Sequence, residues 1–204
     1  MQALLGGYQD FGLFDPTGAL DVFSGSNSTL SALDADGGVS LTAGVVPVDA
    51  AGAAFDGTAV YFIAETGLYR LEGTTLTSVS SLYGIYASDI AVDADNVYVS
   101  GDTYLGDGLT LEALVLSVPK IGDSPISTLF ARVGAYTQFA FDDPFIYMTD
   151  RFGGDVLRMG KDGTGESVVV DDPAMQVLDL AVDDSCVYWT GANATTRGVY
   201  VAPK

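Results

Sequence analysis

The chain has 204 residues, 48% of them apolar, and its 27 acidic and 8 basic residues give it a formal net charge of −19. This charge disfavours nucleic acids and anionic membranes as partners, because the summed field of the protein repels their phosphate groups. The chain has no histidine and a single cysteine, Cys186, which excludes Ser-His-Asp catalysis, Cys-His catalysis and an intrachain disulfide.

The first predicted elements lie in the opening stretch QALLGGYQDFGLFD, residues 2–15. Its pattern is similar to STLFARVGAYTQFAFD, residues 127–142, which reads as the fourth strand of one repeat followed by the first strand of the next. We therefore expect Ala3–Gly6 to form a strand that completes the last repeat. The stretch lacks a basic n-region and an apolar h-region, so we expect no signal peptide, and no apolar run in the chain is long enough for a membrane span.

A short phrase with the pattern Ala-(Phe/Val)-Asp-x-x-x-(Val/Ile)-Tyr then recurs along the chain. It appears as AFDGTAVYFI (54–63), AVDADNVYVS (91–100), AFDDPFIYMT (140–149) and AVDDSCVYWT (181–190), after a weaker copy, LFDPTGALDVF (13–23). The aspartates of these copies are Asp15, Asp56, Asp93, Asp142 and Asp183. A spacing of about 40 residues in a chain rich in strand and turn residues predicts a β-propeller, with four strands in each blade.

Each copy is predicted to begin with a strand that is apolar on both faces, followed by a turn and a second strand. The third strands are predicted at 67–71, 111–118, 155–160 and 198–202, and most copies add a fourth strand. Five copies, with Ala3–Gly6 closing the last blade, predict an all-β, five-bladed propeller of four-stranded antiparallel blades. Residues 1–204 would then form one domain. The alternative is a part of a six-bladed propeller.

The repeated aspartate is predicted to be structural. It occupies the junction between a strand and a turn in every copy, where its carboxylate can accept hydrogen bonds from backbone N–H groups. Catalysis needs one special residue, whereas these aspartates are equivalent, so we assign no catalytic residue.

Four stretches of the chain resemble known propeller repeats. IYMTDRFGGDVLRMGKDGTGESVVV (146–170) and AVDDSCVYWTG (181–191) resemble the YWTD propellers of low-density-lipoprotein-receptor type. They are more similar still to bacterial propeller repeats of the form AVDxxxVYWT…VxxVPKxGG, and LSVPKIGDSPISTLF (116–130) and VYVAPK (199–204) match that second form. The resemblance covers about residues 50–204 and implies a fold but no activity. YWTD propellers usually have six blades, whereas five copies are counted here.

A candidate ligand site lies where the first strands would enter the mouth of the axial channel. Four residues before the repeated aspartates stand Phe11, Gly52, Asp89, Gln138 and Asp179. The Asp89 and Asp179 carboxylates are oxygen ligands of the kind that Ca²⁺ prefers, so they are a candidate metal site. The loop of the third copy, Ser100–Glu112, is enlarged and brings Tyr104 to this mouth, where Tyr86 and Tyr136 complete an aromatic rim.

These features predict a non-catalytic module that binds a ligand or a protein, with a small molecule, a glycan or a protein as partner. A Ca²⁺-dependent hydrolase of lactonase type is the enzymatic alternative, because such lactonases use a propeller channel in this way. A purely structural repeat domain is the third. We expect no cofactor other than calcium, no membrane insertion, a monomer, and an extracytoplasmic or secreted location in a bacterium.

Overall fold

The computed structural model describes residues 10–14, 20–24, 29–33, 39–43, 50–64, 67–73, 75–121, 125–134, 136–150, 154–193 and 195–204. Side chains are described from Gly52 onward, apart from Tyr136 and Thr137. The described residues form antiparallel β-sheets, as the alternation of β-branched residues with turn sequences predicts. The predicted closing strand, Ala3–Gly6, lies outside the described residues.

The described strands group into five antiparallel sheets. The first contains β1 (Asp10–Phe14), β2 (Leu20–Ser24), β3 (Thr29–Leu33) and β4 (Val39–Ala43). The second contains β5 (Ala50–Phe55), β6 (Val60–Ala64), β7 (Gly67–Glu72) and β8 (Thr75–Ser81). The third contains β9 (Tyr86–Val92), β10 (Asn96–Tyr104), β11 (Leu111–Pro119) and β12 (Ser127–Val133).

The fourth sheet contains β13 (Tyr136–Phe141), β14 (Phe145–Asp150), β15 (Asp155–Gly160) and β16 (Ser167–Asp171). The fifth contains β17 (Gln176–Val182), β18 (Cys186–Ala192) and β19 (Arg197–Pro203). Each sheet is a meander in which consecutive strands are neighbours, and the fifth has three strands within the described part of the chain. The order of strands in every repeat is the order that the sequence predicts.

The chain divides into two compact units. One comprises residues 1–84 together with 92–97 and 120–122, and the other comprises residues 85–91, 98–119 and 123–204. In the first unit, Phe62, Ala64 and Leu71 are buried in the second sheet and pack against Tyr69. No helix among the described residues is long and apolar enough to cross a membrane.

Among the described residues of the second unit, two buried clusters each join neighbouring sheets. One brings Tyr98 and Val115 of the third sheet against Phe139 and Ile146 of the fourth. The other brings Tyr147 of the fourth sheet against Trp189 of the fifth. The first strand of the fourth sheet, β13, meets a neighbour on both faces, because Phe139 belongs to the first of these clusters and Ala140 packs against the second.

The insertion at 100–112 is a longer hairpin and not an irregular loop. The strands β10 and β11 have nine residues each, so they extend past the ends of the equivalent strands in the other sheets. Their turn is held by Asp107, whose Oδ1 accepts hydrogen bonds of 2.9 Å from the backbone N–H groups of Leu109 and Thr110. A hydrogen bond from the Thr110 hydroxyl, together with these two backbone bonds, lowers the pKa of Asp107 to about 2, so this carboxylate is committed to its own turn.

Candidate functional site

The repeated aspartates hold the turns between the first and second strands. Oδ1 of Asp56 accepts hydrogen bonds of 2.9 Å from the N–H groups of Thr58 and Ala59. Asp93 and Asp183 make the same two bonds to the residues two and three positions later. The structural role predicted for this residue is therefore visible in three copies.

Asp142 departs from this pattern because Pro144, two residues later, has no N–H to donate. Its Oδ1 is buried and has no hydrogen-bond partner among the described residues. The carboxylate is held through Oδ2 instead, which forms an ion pair with the ammonium group of Lys204.

Lysines at the ends of third strands are partners of the repeat motif that sequence reasoning missed. The Nζ atom of Lys120 lies 2.6 Å from Oδ2 of Asp56 and 5.2 Å from the centre of the Tyr61 ring. Lys204 repeats this arrangement on Asp142 and lies 5.6 Å from the Tyr147 ring centre. Burial would raise the pKa of Asp56, but the hydrogen bonds from Lys120 and from backbone N–H groups lower it to about 2. The sequence feature that could have revealed these lysines is the Val-Pro-Lys or Ala-Pro-Lys sequence at the end of their third strands.

Asp89 lies in β9 and its carboxylate faces the first strand of the next sheet. Oδ1 accepts a hydrogen bond of 2.8 Å from the N–H of Ile90, and Oδ2 accepts one of 3.4 Å from the N–H of Phe139. Burial raises the pKa of Asp89 to about 7, and the negative charge of Asp179 adds to this effect. A carboxyl group in this state exchanges its proton near neutral pH.

Asp179 lies in β17, at the position equivalent to Asp89, and it is more exposed. Its Oδ1 accepts a hydrogen bond of 2.8 Å from the N–H of Leu180, as Oδ1 of Asp89 does from Ile90. Gln138 lies in β13 beside Phe139, the residue that donates to Asp89, and is partly buried. The charge of Asp179 thus contributes to the raised pKa of Asp89, while Gln138 is adjacent to the contact that Asp89 makes with Phe139.

Two of the three predicted tyrosines lie together. The rings of Tyr86 and Tyr104 meet edge to face with centres 5.6 Å apart, and the side chains are 63% and 49% exposed. Gly101 permits this arrangement, because a Cβ there would lie 2.6 Å from the backbone oxygen of Tyr86. Tyr136 lies in β13, and its side chain is outside the described residues.

A further carboxylate, Asp102, shares the hairpin with Tyr104. Its Oδ1 is buried and has no hydrogen-bond partner within the described residues, and burial raises its pKa. Among the residues that the structure describes, no three acidic or cysteine side chains are grouped as a metal site would require. The assignment of Asp89 and Asp179 as calcium ligands stays a prediction from the sequence.

Comparison with solved structures identifies the fold. A nidogen/laminin complex structure matches with a TM-score of 0.66 at 10% sequence identity, over 89% of this chain and 75% of the other. A calcium-binding regucalcin from Agrobacterium tumefaciens matches with a TM-score of 0.66 at 15% identity, over 93% of this chain and 69% of the other. The fold is that of a β-propeller.

A third match is the extracellular domain of a hybrid two-component system from B. thetaiotaomicron. It has a TM-score of 0.58 at 15% identity and covers 100% of this chain but 33% of the other. No protein-family model and no curated protein sequence matches the chain. The nidogen/laminin match supports the resemblance to YWTD-type propellers, whereas the bacterial AVDxxxVYWT repeat type stays a prediction. At these identities the likenesses concern the fold and not the activity.

Proposed function

We propose that this protein is a non-catalytic binding module whose ligand contacts Asp89, Gln138 and Asp179, flanked by Tyr86, Tyr104 and Tyr136. The observation that carries the proposal is the raised pKa of Asp89, which reflects burial and the nearby charge of Asp179. Two carboxylates that repel each other are stabilised by a cation or by a hydrogen-bond donor placed between them. The exposed Tyr86–Tyr104 pair supplies an aromatic surface at the start of the strand that carries Asp89.

The ligand chemistry that suits this site is a cation or a polar molecule with an apolar face. Tyrosine rings pack on sugar or peptide surfaces, and their hydroxyl groups stay available for hydrogen bonds. Calcium would be held through the oxygen atoms of Asp89 and Asp179, with water completing its coordination.

The direct test is thermal unfolding of the protein in Ca²⁺ and in EDTA. An ion present at about 100 times its Kd should stabilise the folded protein by about 2.7 kcal/mol. The stabilisation should disappear in the double variant Asp89→Asn/Asp179→Asn and persist in the control Asp95→Asn/Asp184→Asn, which removes two exposed carboxylates. If Ca²⁺ raises the melting temperatures of both double variants equally, calcium binds elsewhere. If Ca²⁺ does not raise the melting temperature of the wild type, the ligand of the site is a polar organic molecule and not calcium.

A Ca²⁺-dependent hydrolase of lactonase type is the second candidate. It is supported by the paired carboxylates and by the likeness to a calcium-binding regucalcin, which is a likeness of fold. Lactone hydrolysis that requires Ca²⁺ and is lost in Asp89→Asn would establish it. A protein that shows neither calcium binding nor hydrolysis nor any ligand would leave the third candidate, a purely structural repeat domain.

We also propose an extracytoplasmic location in a bacterium and a single five-bladed domain closed by Ala3–Gly6. The location is supported by the match to an extracellular domain, and fractionation of cells that express the full gene product tests it.

The closure is supported by the three-stranded fifth sheet, because an added strand would complete it. Deletion of residues 1–7 should then lower the melting temperature strongly, and an unchanged melting temperature would rule the closure out.

A further inference from the structure

The long hairpin of β10 and β11 carries a carboxylate that has no cation beside it in the described part of the chain. Asp102 lies in β10, and its Oδ1 is buried without a hydrogen-bond partner among the described residues. No lysine or arginine within those residues forms an ion pair with it. Burial raises the pKa of Asp102, as expected of a carboxyl group that has lost water and gained no partner. Such a group is stabilised by a cation or a hydrogen-bond donor that a ligand supplies.

Two exposed tyrosine rings lie on the same face of the hairpin as Asp102. Residues 102 and 104 point to the same side of β10, because side chains alternate along a strand. Their Cα atoms are therefore about 6.6 Å apart. The ring of Tyr86 meets that of Tyr104 edge to face, with centres 5.6 Å apart. The carboxylate thus lies beside an aromatic pair, and a small ligand that contacts one also reaches the other.

This face of the third sheet lies toward the fourth sheet. Tyr98 is on the same side of β10 as Asp102, and it packs in one buried cluster with Phe139 of the fourth sheet. Asp102, Tyr86 and Tyr104 all belong to the second compact unit, as the fourth sheet does. The arrangement of carboxylate and rings is therefore made within that unit.

The fourth sheet places further carboxylates at the same end. Asp155 begins β15, the strand equivalent to β11, and pairs in register with Asp171 of β16. It lies on the face toward the third sheet, because Leu157, two residues later, is in the cluster that joins the two sheets. Burial raises the pKa of Asp155, and the charges of Asp171 and Asp150 raise it further. The charge of Arg132 opposes this rise without cancelling it. The potential at this end of the two sheets is therefore negative and favours a bound cation.

The chain itself shows which cation suits a carboxylate beside an aromatic ring. The Nζ atom of Lys161 lies 3.4 Å from Oδ1 of Asp143 and 4.7 Å from the centre of the Phe141 ring. Lys120 and Lys204 each have the same two kinds of partner. An ammonium group gains from both interactions at once. The hairpin offers the same combination of groups without a described lysine.

We propose that Asp102, Tyr86 and Tyr104 form a binding site for an alkylammonium group, the chemistry shared by a lysine side chain and a free primary amine. The ammonium group donates hydrogen bonds to the Asp102 carboxylate, and the methylene groups next to it pack against the Tyr104 ring. The site shares its two tyrosines with the proposed function and rests on it to that extent, but its carboxylate is neither Asp89 nor Asp179.

The test uses the full chain and two amine probes, n-butylammonium chloride and acetyl-lysine methylamide, at constant ionic strength. Proton NMR follows the methylene protons of each probe, which shift upfield when they lie over a tyrosine ring. We expect saturable shifts at about millimolar concentrations. Acetyl-norleucine methylamide, which lacks the ammonium group, should bind at least about tenfold more weakly.

The outcomes for these probes separate the ligand sources. Tighter binding of acetyl-lysine methylamide than of n-butylammonium supports the site and identifies a lysine side chain as its ligand. Equal or tighter binding of n-butylammonium supports the site and identifies a free amine. Equal binding of the lysine and norleucine probes, or no saturable shift for either amine, would overturn the proposal.

A matched pair of variants tests the carboxylate. Asp102→Asn keeps the shape of the side chain but removes its charge, so it should weaken amine binding at least about tenfold. Its melting temperature should be no lower than that of the wild type, because the variant removes a shielded charge that has no cation. Glu112→Gln removes the same charge from the other face of β11, since Glu112 is adjacent to Ala113 of the buried cluster. It should bind the amines within about twofold of the wild type. Equal weakening in the two variants would assign the binding to general attraction by the acidic surface and overturn the proposal, as would a strong loss of stability in Asp102→Asn.

Variants of the tyrosine test the ring. Tyr104→Phe keeps the aromatic face and should keep the affinity, whereas Tyr104→Leu should weaken binding about threefold or more and abolish the upfield shift. Equal binding and equal shifts in these two variants would contradict the position of the ligand over the ring.

The double variant Asp89→Asn/Asp179→Asn separates this site from the proposed function. Amine binding that survives in it supports the Asp102 site, whatever the result with calcium. Amine binding that is lost in it but retained in Asp102→Asn would assign the amine to the proposed site and overturn the present inference.

Discussion

The ammonium group of Lys120 lies 2.6 Å from Oδ2 of Asp56, although the two residues are 64 positions apart in the chain. Their side chains are 8% and 15% exposed, so both charges are shielded from water and depend on each other. The pair links the end of β11 to the turn that follows β5. Asp56 thus stabilises its own turn through Oδ1 and binds Lys120, from a distant part of the chain, through Oδ2.

Replacement of Lys120 by methionine should destabilise the protein by about 3 kcal/mol, because it leaves the Asp56 carboxylate shielded and without its cation. Arg132→Met is the control, since the Arg132–Glu166 pair is 43% and 38% exposed and should be worth less than about 1 kcal/mol. Urea unfolding followed by circular dichroism measures both.

The same variant has an expected effect on acid stability. The pKa of Asp56 is lowered from 3.8 to about 2, so its stabilising contribution is present above pH 4 and is lost as the pH falls toward 2. Without Lys120 this part of the pH dependence should shrink. Unfolding curves of equal pH dependence for wild type and Lys120→Met would contradict the role of the pair.

Asp89 should make stability fall as the pH rises from about 4 to about 7. Its pKa is about 7 in the folded protein, against an ordinary value of 3.8, so over this range the folded state holds a proton that the unfolded state releases. Asp89→Asn keeps an acceptor for Ile90 and Phe139 but cannot ionise, and its stability should lack this decline.

Asp179→Asn is the matched variant for that measurement. It removes the charge that helps to raise the pKa of Asp89, so the decline should persist but be complete at a lower pH. The measurement is the melting temperature at pH values from 4 to 8 in one ionic strength. An identical decline in Asp89→Asn and wild type would assign the effect to other groups.

Removal of the Asp93 side chain should cost about 1–3 kcal/mol, because two backbone N–H groups, those of Asp95 and Asn96, lose their acceptor. Asp93→Asn should cost less, since the amide oxygen can still accept both bonds. Asp184→Ala, at an exposed turn position, serves as the control and should be nearly neutral. Chemical denaturation of the three variants checks this order, and an equal loss in Asp93→Ala and Asp184→Ala would argue against the turn role.

Gly101→Ala should destabilise the protein by about 1–3 kcal/mol, because the new Cβ would lie 2.6 Å from the backbone oxygen of Tyr86 and 2.7 Å from Cα of Ala87. Gly106→Ala adds the same methyl group where nothing lies within 4 Å, so its stability should stay within about 0.5 kcal/mol of wild type. A normal melting temperature for Gly101→Ala would mean that β9 and β10 can separate freely.

The sequence by itself determined the strands, their order and the role of the repeated aspartate. These features depend on neighbours within a few residues: alternating β-branched side chains form strands, and an aspartate followed by small or polar residues accepts the N–H groups of its own turn. The third strand predicted at 155–160 is observed as Asp155–Gly160. The enlarged segment at 100–112 was located correctly, but its form as an extended hairpin depends on hydrogen bonds between β10 and β11 that no local pattern specifies.

Only the tertiary structure decided which partner each side chain meets. Asp89 and Asp179 are equivalent in sequence, yet one accepts an N–H from Phe139 of the next sheet and the other is exposed. Asp56 and Asp183 hold the same turn, yet one meets Lys120 and the other meets Tyr188. Local periodicity tells which face of a strand is apolar, whereas burial and ion pairing depend on which sheet covers that face, and that neighbour comes from a distant part of the chain.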